Sequence, residues 1–171
     1  MEQITSLFQE SVLQKGEFFV KQGQYCEKLA FVKNGYIRVF TLAGDKEITQ
    51  WISTKGHFIT DLYSFNFKQR ARWNIQALAD CELYTIHKEQ YRLLNKLVPN
   101  WVEMEKQFIA GCFVQLEDWV FSHLSLSAEE RYDQLFAENR ALFNHVPLQY
   151  IASMLGMSPE TFSRIRNKKT S

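Results

Sequence analysis

Pro147, Gly156 and Pro159 punctuate the end of this chain so closely that few local structures remain open to it. A proline suits the first position of a helix, because its missing N–H has no intrahelical partner there. Ile151, Ala152 and Leu155 follow on one apolar stripe. Gly156 stands where that helix must stop, at the left-handed position that glycine takes without steric cost. Ser158 then caps a second helix, with Pro159 at its first position and Glu160 in its first turn. Phe162 and Ile165 point back at the first helix, and Ala152 is small where the two must cross closely. The pattern predicts a helix-turn-helix.

The outward side of the second helix carries the chemistry. Glu160, Arg164 and Lys168 are spaced by four and share a face, with Ser163 and Asn167 beside them. An arginine can donate two bonds to guanine O6 and N7, and a glutamate can accept from cytosine N4. The candidate DNA-contacting residues are therefore Gln149, Ser158, Glu160, Thr161, Ser163, Arg164, Lys168 and Lys169. Glu160 and Arg164 are expected on base edges; Gln149, Thr161, Ser163, Lys168 and Lys169 are expected on phosphates. The bland alternative is a pair of amphipathic helices with a solvated charged face.

Charge confines any such contact to this end. The net charge is only +1, yet from Val146 onward four basic residues face a single acid. An apolar content of 46% with 14 phenylalanines supports a packed core and argues against disorder. Cys26, Cys81 and Cys112 are far apart and odd in number, so they do not form a disulfide framework. The start lacks a basic segment followed by an apolar run, and no stretch is apolar for 18 residues. The expectation is a soluble cytoplasmic protein without a membrane partner.

Upstream, the texture differs. Met1–Leu13 reads as a short helix with Ile4, Leu7, Phe8 and Val12 on one side. Glu17–Val20, Leu29–Lys33, Tyr36–Leu42, Glu47–Ser53, Trp73–Leu78 and Glu82–His87 then read as strands rich in β-branched and aromatic residues. Ala43–Lys46 has the length of a hairpin connection. Short strands at this spacing argue for an antiparallel sandwich or barrel. The pattern lapses between Phe58 and Trp73, where Asp61–Phe65 suggests one helical turn and Lys68–Arg72 a basic loop. Lys88–Leu97 is an amphipathic helix ending before Pro99. A long helix over about residues 100–123 follows, apolar on more than one stripe, which calls for burial on two sides. Ile109, Cys112, Leu116 and Trp119 alternate three and four apart, as a dimer seam requires. Ser127-Ala-Glu-Glu130 is a capping box opening a helix to about Asn139, with Tyr132, Leu135 and Phe136 inward.

This order is similar to that of the Crp/Fnr family of bacterial transcription regulators, and the similarity covers almost the whole chain. It rests on Lys15-Gly-Glu17 with Gly23, Phe31-Val-Lys-Asn-Gly-Tyr-Ile-Arg38, Gly44-Asp-Lys-Glu47, Ser127-Ala-Glu-Glu-Arg-Tyr132 and Ser158-Pro-Glu-Thr-Phe-Ser-Arg164. The last is the most specific, since Glu160, Thr161 and Arg164 match the family's Glu-Thr-x-x-Arg core. Pro159 stands where the family often has arginine, and the short tail resembles the Bacteroidetes-type subgroup. The resemblance implies an α+β protein in three parts. These are an antiparallel β-roll (a cyclic-nucleotide-binding-domain-like jelly roll) over residues 1–98, a dimerisation helix over 99–125 and a helix-turn-helix domain over 126–171. It implies a homodimer on a palindromic operator in double-stranded DNA, with RNA polymerase as a further partner.

The resemblance also places an effector pocket at Thr60, Asp61, Leu62, Arg70, Arg72 and Trp73. The family's phosphate cassette needs glycine then glutamate, and later arginine then a small hydroxyl residue. Here Thr60-Asp61 and Arg70-Ala-Arg-Trp73 replace them. A cyclic nucleotide is therefore not expected, and the effector is a different small molecule or none. Three scattered cysteines do not make an iron–sulfur site, and His57, His87, His123 and His145 are isolated, so neither metal nor haem is expected. A cupin-like enzyme would need His-x-His, which is missing, so no catalytic residues are assigned. The alternative function is a ligand-binding or interaction module of the same fold without productive DNA binding.

Overall fold

The computed structural model describes residues 2–170, with side chains from 4 to 169. The chain divides into two compact units, with the boundary between Trp101 and Val102.

The first unit is built on two four-stranded antiparallel sheets. After a one-turn helix α1 (Glu2–Thr5), the strands are β1 (Gln9–Leu13), β2 (Phe18–Val20), β3 (Lys28–Asn34), β4 (Ile37–Ala43), β5 (Lys46–Ser53), β6 (Phe58–Ile59), β7 (Asn74–Ala77) and β8 (Cys81–His87). One sheet runs β1-β8-β3-β6 and the other β2-β7-β4-β5. Helix α2 (Leu62–Phe67) interrupts the strand series, and α3 (Lys88–Leu97) closes it.

Period-two alternation explains how one strand serves two cores. Ala30 and Val32 of β3 and Cys81 and Leu83 of β8 enter the cluster formed with Leu13, Phe19, Val20, Ile37, Ile59, Ile75 and Ala77. Leu29 and Phe31 of β3 and Ile86 of β8 point the other way. There they meet Phe65 of α2, Tyr91 and Leu94 of α3, and Ile4, Leu7, Phe8 and Trp101. This is why β3 is apolar at consecutive positions. Gly35 turns the chain between β3 and β4 at φ +109, where a Cβ would sit 2.4 Å from Cys81 Sγ and 2.9 Å from Cys81 Cα. Neither the backbone angle nor the space admits another residue.

The six predicted strands are all present, each within two residues of its expected ends. The hairpin pairs Ala43 with Lys46. The N-terminal reading needs correction: the helix ends at Thr5, and Gln9–Leu13 is a strand paired residue for residue with β8. Val12 is 67% exposed instead of packing beside Ile4, Leu7 and Phe8. Four apolar residues are too few to separate a helical period from an alternating one, and the free edge of β8 settles the matter by supplying hydrogen bonds. Met1, part of that reading, lies outside the described residues. Strand β6 was not anticipated.

The second unit is helical. It holds α4 (Trp101–Ser125) from Val102 onward, α5 (Ala128–Glu138), α6 (Leu142–His145), α7 (Leu148–Met154) and α8 (Pro159–Thr170). Ser127 and Glu130 form the predicted capping box, with Ser127 N–H donating to Glu130 Oε2 at 2.8 Å and Glu130 N–H to Ser127 Oγ at 3.3 Å. Tyr132 and Leu135 are buried and Phe136 is half-buried. Tyr132 meets Phe143 at 5.3 Å and Phe162 at 5.2 Å, so aromatic edges join α5, α6 and α8. Helix α6 was not anticipated. No residue of α4 is buried in the single chain. Val102, Phe113, Phe121 and Leu124 are 67%, 59%, 70% and 82% exposed. No helix among the described residues is long and apolar enough to cross a membrane.

Candidate nucleic-acid interface and effector region

Helix α7 begins one residue later than predicted, with Pro147 as its N-cap instead of its first helical residue. Its end follows the prediction. Gly156 has φ +68, its N–H bonds Ser153 O at 3.0 Å, and Met157 N–H bonds Ala152 O at 3.0 Å. This paired closure is the Schellman arrangement, which reverses the chain in two residues. Ser158 Oγ accepts from Thr161 N–H at 3.2 Å, and α8 starts at Pro159. Ile151, Ala152, Leu155, Phe162 and Ile165 are all buried. The same side chains that hold α8 in place therefore dictate which of its faces is presented.

That outer face carries the predicted residues. Glu160, Ser163, Arg164, Lys168 and Lys169 are exposed on α8, as are Ser158 before it and Gln149 on α7; Thr161 is half-buried. Its own backbone N–H, then the Ser158 hydroxyl, holds the Glu160 carboxyl below the usual carboxylate range, so it is ionised at neutral pH. Among the described residues, no ion pair or hydrogen bond engages the Arg164 side chain. Lys168 and Lys169 differ: their ammonium groups meet Glu129 and Asp133 of α5. Both acids sit on the exposed side of the capping-box helix, and nothing in their spacing marks residues 168 and 169 as partners.

Two further side chains brace this end without having been singled out. His123 Nδ1 lies 2.9 Å from Trp119 O, and its Nε2 lies 3.2 Å from Met154 O. Arg131 Nε donates to Leu155 O at 3.0 Å and its Nη1 to Leu126 O at 2.7 Å. A cation thus caps one carbonyl at the end of α7 and one just past the end of α4, where the helices leave them unpaired. On α4, Ile109 and Leu116 are exposed, while Cys112 and Trp119 are half-buried.

In the first unit, the six predicted effector residues surround α2. Asp61 is 1% exposed and caps α2, its Oδ1 accepting from Ser64 N–H at 2.8 Å. Its Oδ2 accepts from Arg72 N–H at 2.8 Å and Trp73 N–H at 3.2 Å. The Thr60 hydroxyl donates to Lys28 O at 3.0 Å. Arg70 Nη1 donates to Gly23 O at 2.8 Å, with its guanidinium 5.3 Å from the Tyr25 ring. Arg72 stands 4.9 Å from the Tyr63 ring, Leu62 is exposed and Trp73 half-buried. Asp61 therefore gathers Arg72 and Trp73 through their backbone, while Arg70 turns away toward Gly23. An open polar cleft of ≈ 530 Å³ in this unit is lined by Glu27, Lys68, His87, Lys88, Glu89, Gln90 and Arg92. None of the six predicted residues lines it.

Residues 10–95 match the cyclic nucleotide-binding domain family. The chain belongs to that family. Similar solved structures include FixK2 from Bradyrhizobium japonicum, with a TM-score of 0.80 and 18% identity over 94% of this chain and 83% of that one. A CooA mutant from Carboxydothermus hydrogenoformans gives 0.70 and 19% over 97% and 78%. A protein described as a transcriptional regulator of the Crp/Fnr family from Eubacterium rectale gives 0.71 and 18% over 98% and 80%. No curated protein sequence is a significant match. The resemblance to Crp/Fnr regulators carried by the sequence is thus borne out in the fold.

As a cyclic nucleotide-binding domain, the first unit would hold its ligand through a carboxylate facing the ribose and an arginine facing the phosphate. Asp61 and Arg70, which stand at these positions, are both hydrogen-bonded to backbone. Both oxygens of Asp61 are occupied by three backbone N–H donors, and Arg70 is held by Gly23 O. Among the described residues, no cluster of three or more His, Cys, Asp or Glu is placed to hold a metal ion.

Proposed function

We propose that the chain is a sequence-specific DNA-binding transcription regulator of the Crp/Fnr kind, working as a cytoplasmic homodimer on a palindromic operator. The carrying observation is α8 itself. Phe162 and Ile165 bury one face, and the opposite face offers Glu160, Ser163 and Arg164 to solvent from the second of two helices joined by a short turn. Residues 1–98 serve as the effector domain, 99–125 as the dimerisation helix and 126–171 as the DNA-binding domain. The seam runs through Ile109, Cys112, Leu116 and Trp119, and the exposed apolar residues of α4 supply the reason to pair. A two-fold dimer would set its recognition helices roughly 34 Å apart, one DNA turn. Control comes from a small effector other than a cyclic nucleotide, or from none, because Asp61 and Arg70 are held by the backbone. RNA polymerase is the downstream partner.

Selection from a randomised duplex pool tests this reading. A palindrome should be enriched, and Arg164→Ala should weaken binding to it by about 1–3 kcal/mol and relax preference at one base pair. An unenriched pool would favour an interaction module without productive DNA binding.

A further inference from the structure

Lys168 and Lys169 stand at the end of α8, where a groove-entering helix brings side chains to the phosphate backbone. Each is already paired. Lys168 Nζ lies 3.2 Å from Glu129, and Lys169 Nζ lies 3.2 Å from Glu129 and 2.8 Å from Asp133. Glu129 and Asp133 are four apart on α5, so their carboxylates share one face. The two lysines hold the Glu129 carboxyl below the usual carboxylate range. Two carboxylates thus offset two of the four cationic side chains that follow Val146.

Affinity for DNA of any sequence grows with the number of phosphates that a protein neutralises, through counterion release. Cations committed to α5 are withdrawn from that count. The carboxylates also sit where approaching phosphates would meet like charge. As staples between helices these pairs are poor, since exposed ion pairs contribute little stability. As competitors with phosphate they are well matched, because a weak pair can be exchanged when a docked duplex presents a backbone at close range.

We propose that Glu129 and Asp133 are a brake on sequence-independent DNA binding. By holding Lys168 and Lys169, they shift affinity toward the residues that read bases, Glu160 and Arg164. The proposal rests on the DNA-binding reading above and assigns specificity to two residues outside the recognition helix.

The full-length chain and its Glu129→Gln, Asp133→Asn and doubly substituted variants are titrated with a scrambled duplex and with the selected palindrome at several salt concentrations. Glu138→Gln is the control: it removes the same charge from α5, but its carboxylate faces Gln134. The double variant should bind the scrambled duplex about tenfold tighter at low salt, with a log–log salt slope steeper by about 1–2. Its ratio of specific to non-specific affinity should fall, while Glu138→Gln changes little. Equal effects of Glu129→Gln and Glu138→Gln would overturn the proposal, as a mere change of net charge. So would loss of binding to both duplexes together with a lower melting temperature, which would mark the pairs as staples. If the unaltered chain binds neither duplex, the regulator reading fails, and the double variant still decides: gained binding upholds the brake, and none refutes it.

Discussion

Asp61 shows how much local structure a single buried side chain can hold together. Its carboxylate joins the first turn of α2 to the backbone at Arg72 and Trp73. Asp61→Ala would leave these buried donors without an acceptor and should cost about 2–4 kcal/mol in urea unfolding. Asp61→Asn is informative because its one carbonyl can serve the helix cap or the loop, but not both; we expect an intermediate loss. A ligand-binding role would leave stability nearly unchanged in both variants. His57 sets a pH dependence. Its Nδ1 accepts from Thr54 N–H at 3.2 Å, which requires a bare nitrogen, and burial pushes the imidazole below its ordinary 6.5. On acidification the unfolded chain therefore takes up this proton first, so stability falls as pH drops below 6.5, until the folded imidazole titrates too. His57→Asn retains an acceptor and does not titrate, so urea midpoints between pH 8 and 5.5 should vary less than in the unaltered chain. Identical profiles would refute this assignment. Arg38 shows what residue type alone conceals. It is 1% exposed in β4, with Nε bonding Thr49 at 2.8 Å and Nη1 meeting Glu47 at 2.6 Å.

Among the elements, legibility followed the strength of local punctuation. The Ser127 box and the Gly156 stop were readable because each is made by residues three to five apart that satisfy the open ends of a helix. Ser127→Ala removes the acceptor for Glu130 N–H and should lower stability by about 1 kcal/mol, seen as a reduced urea midpoint without a change in slope. A drop in slope as well would mean that the whole helical unit loosens and that the cap does more than close one end. Elements lacking such marks were missed or misread. β1 and β6 are strands because partners lie alongside, β8 for the first and β3 for the second, and those partners are remote in sequence. Helix α6 is four residues long, shorter than any periodicity can resolve. Pro147 was displaced by one position, within the ordinary uncertainty of helix ends.

For the molecule as a whole, the proposed function sets a dimer seam on α4. Replacing Ile109 and Leu116 with glutamate would place four like charges across a two-fold seam and should convert a dimer to monomers in sedimentation, with cooperative operator binding lost. A sedimentation coefficient unchanged from that of the unaltered chain would remove this seam. What the sequence determined by itself was carried by short-range chemistry: the six main strands, the N-caps of α5 and α8, the stop of α7, and the face of α8 that turns outward. These follow from side-chain periods of two and 3.6 residues and from backbone groups that must be satisfied locally. Only the tertiary structure decided the rest. It turned Asp61 into a latch and set Lys168 and Lys169 against Glu129 and Asp133. Each of those outcomes depends on groups ten to forty residues apart, whose meeting is arranged by packing, and no local pattern records it.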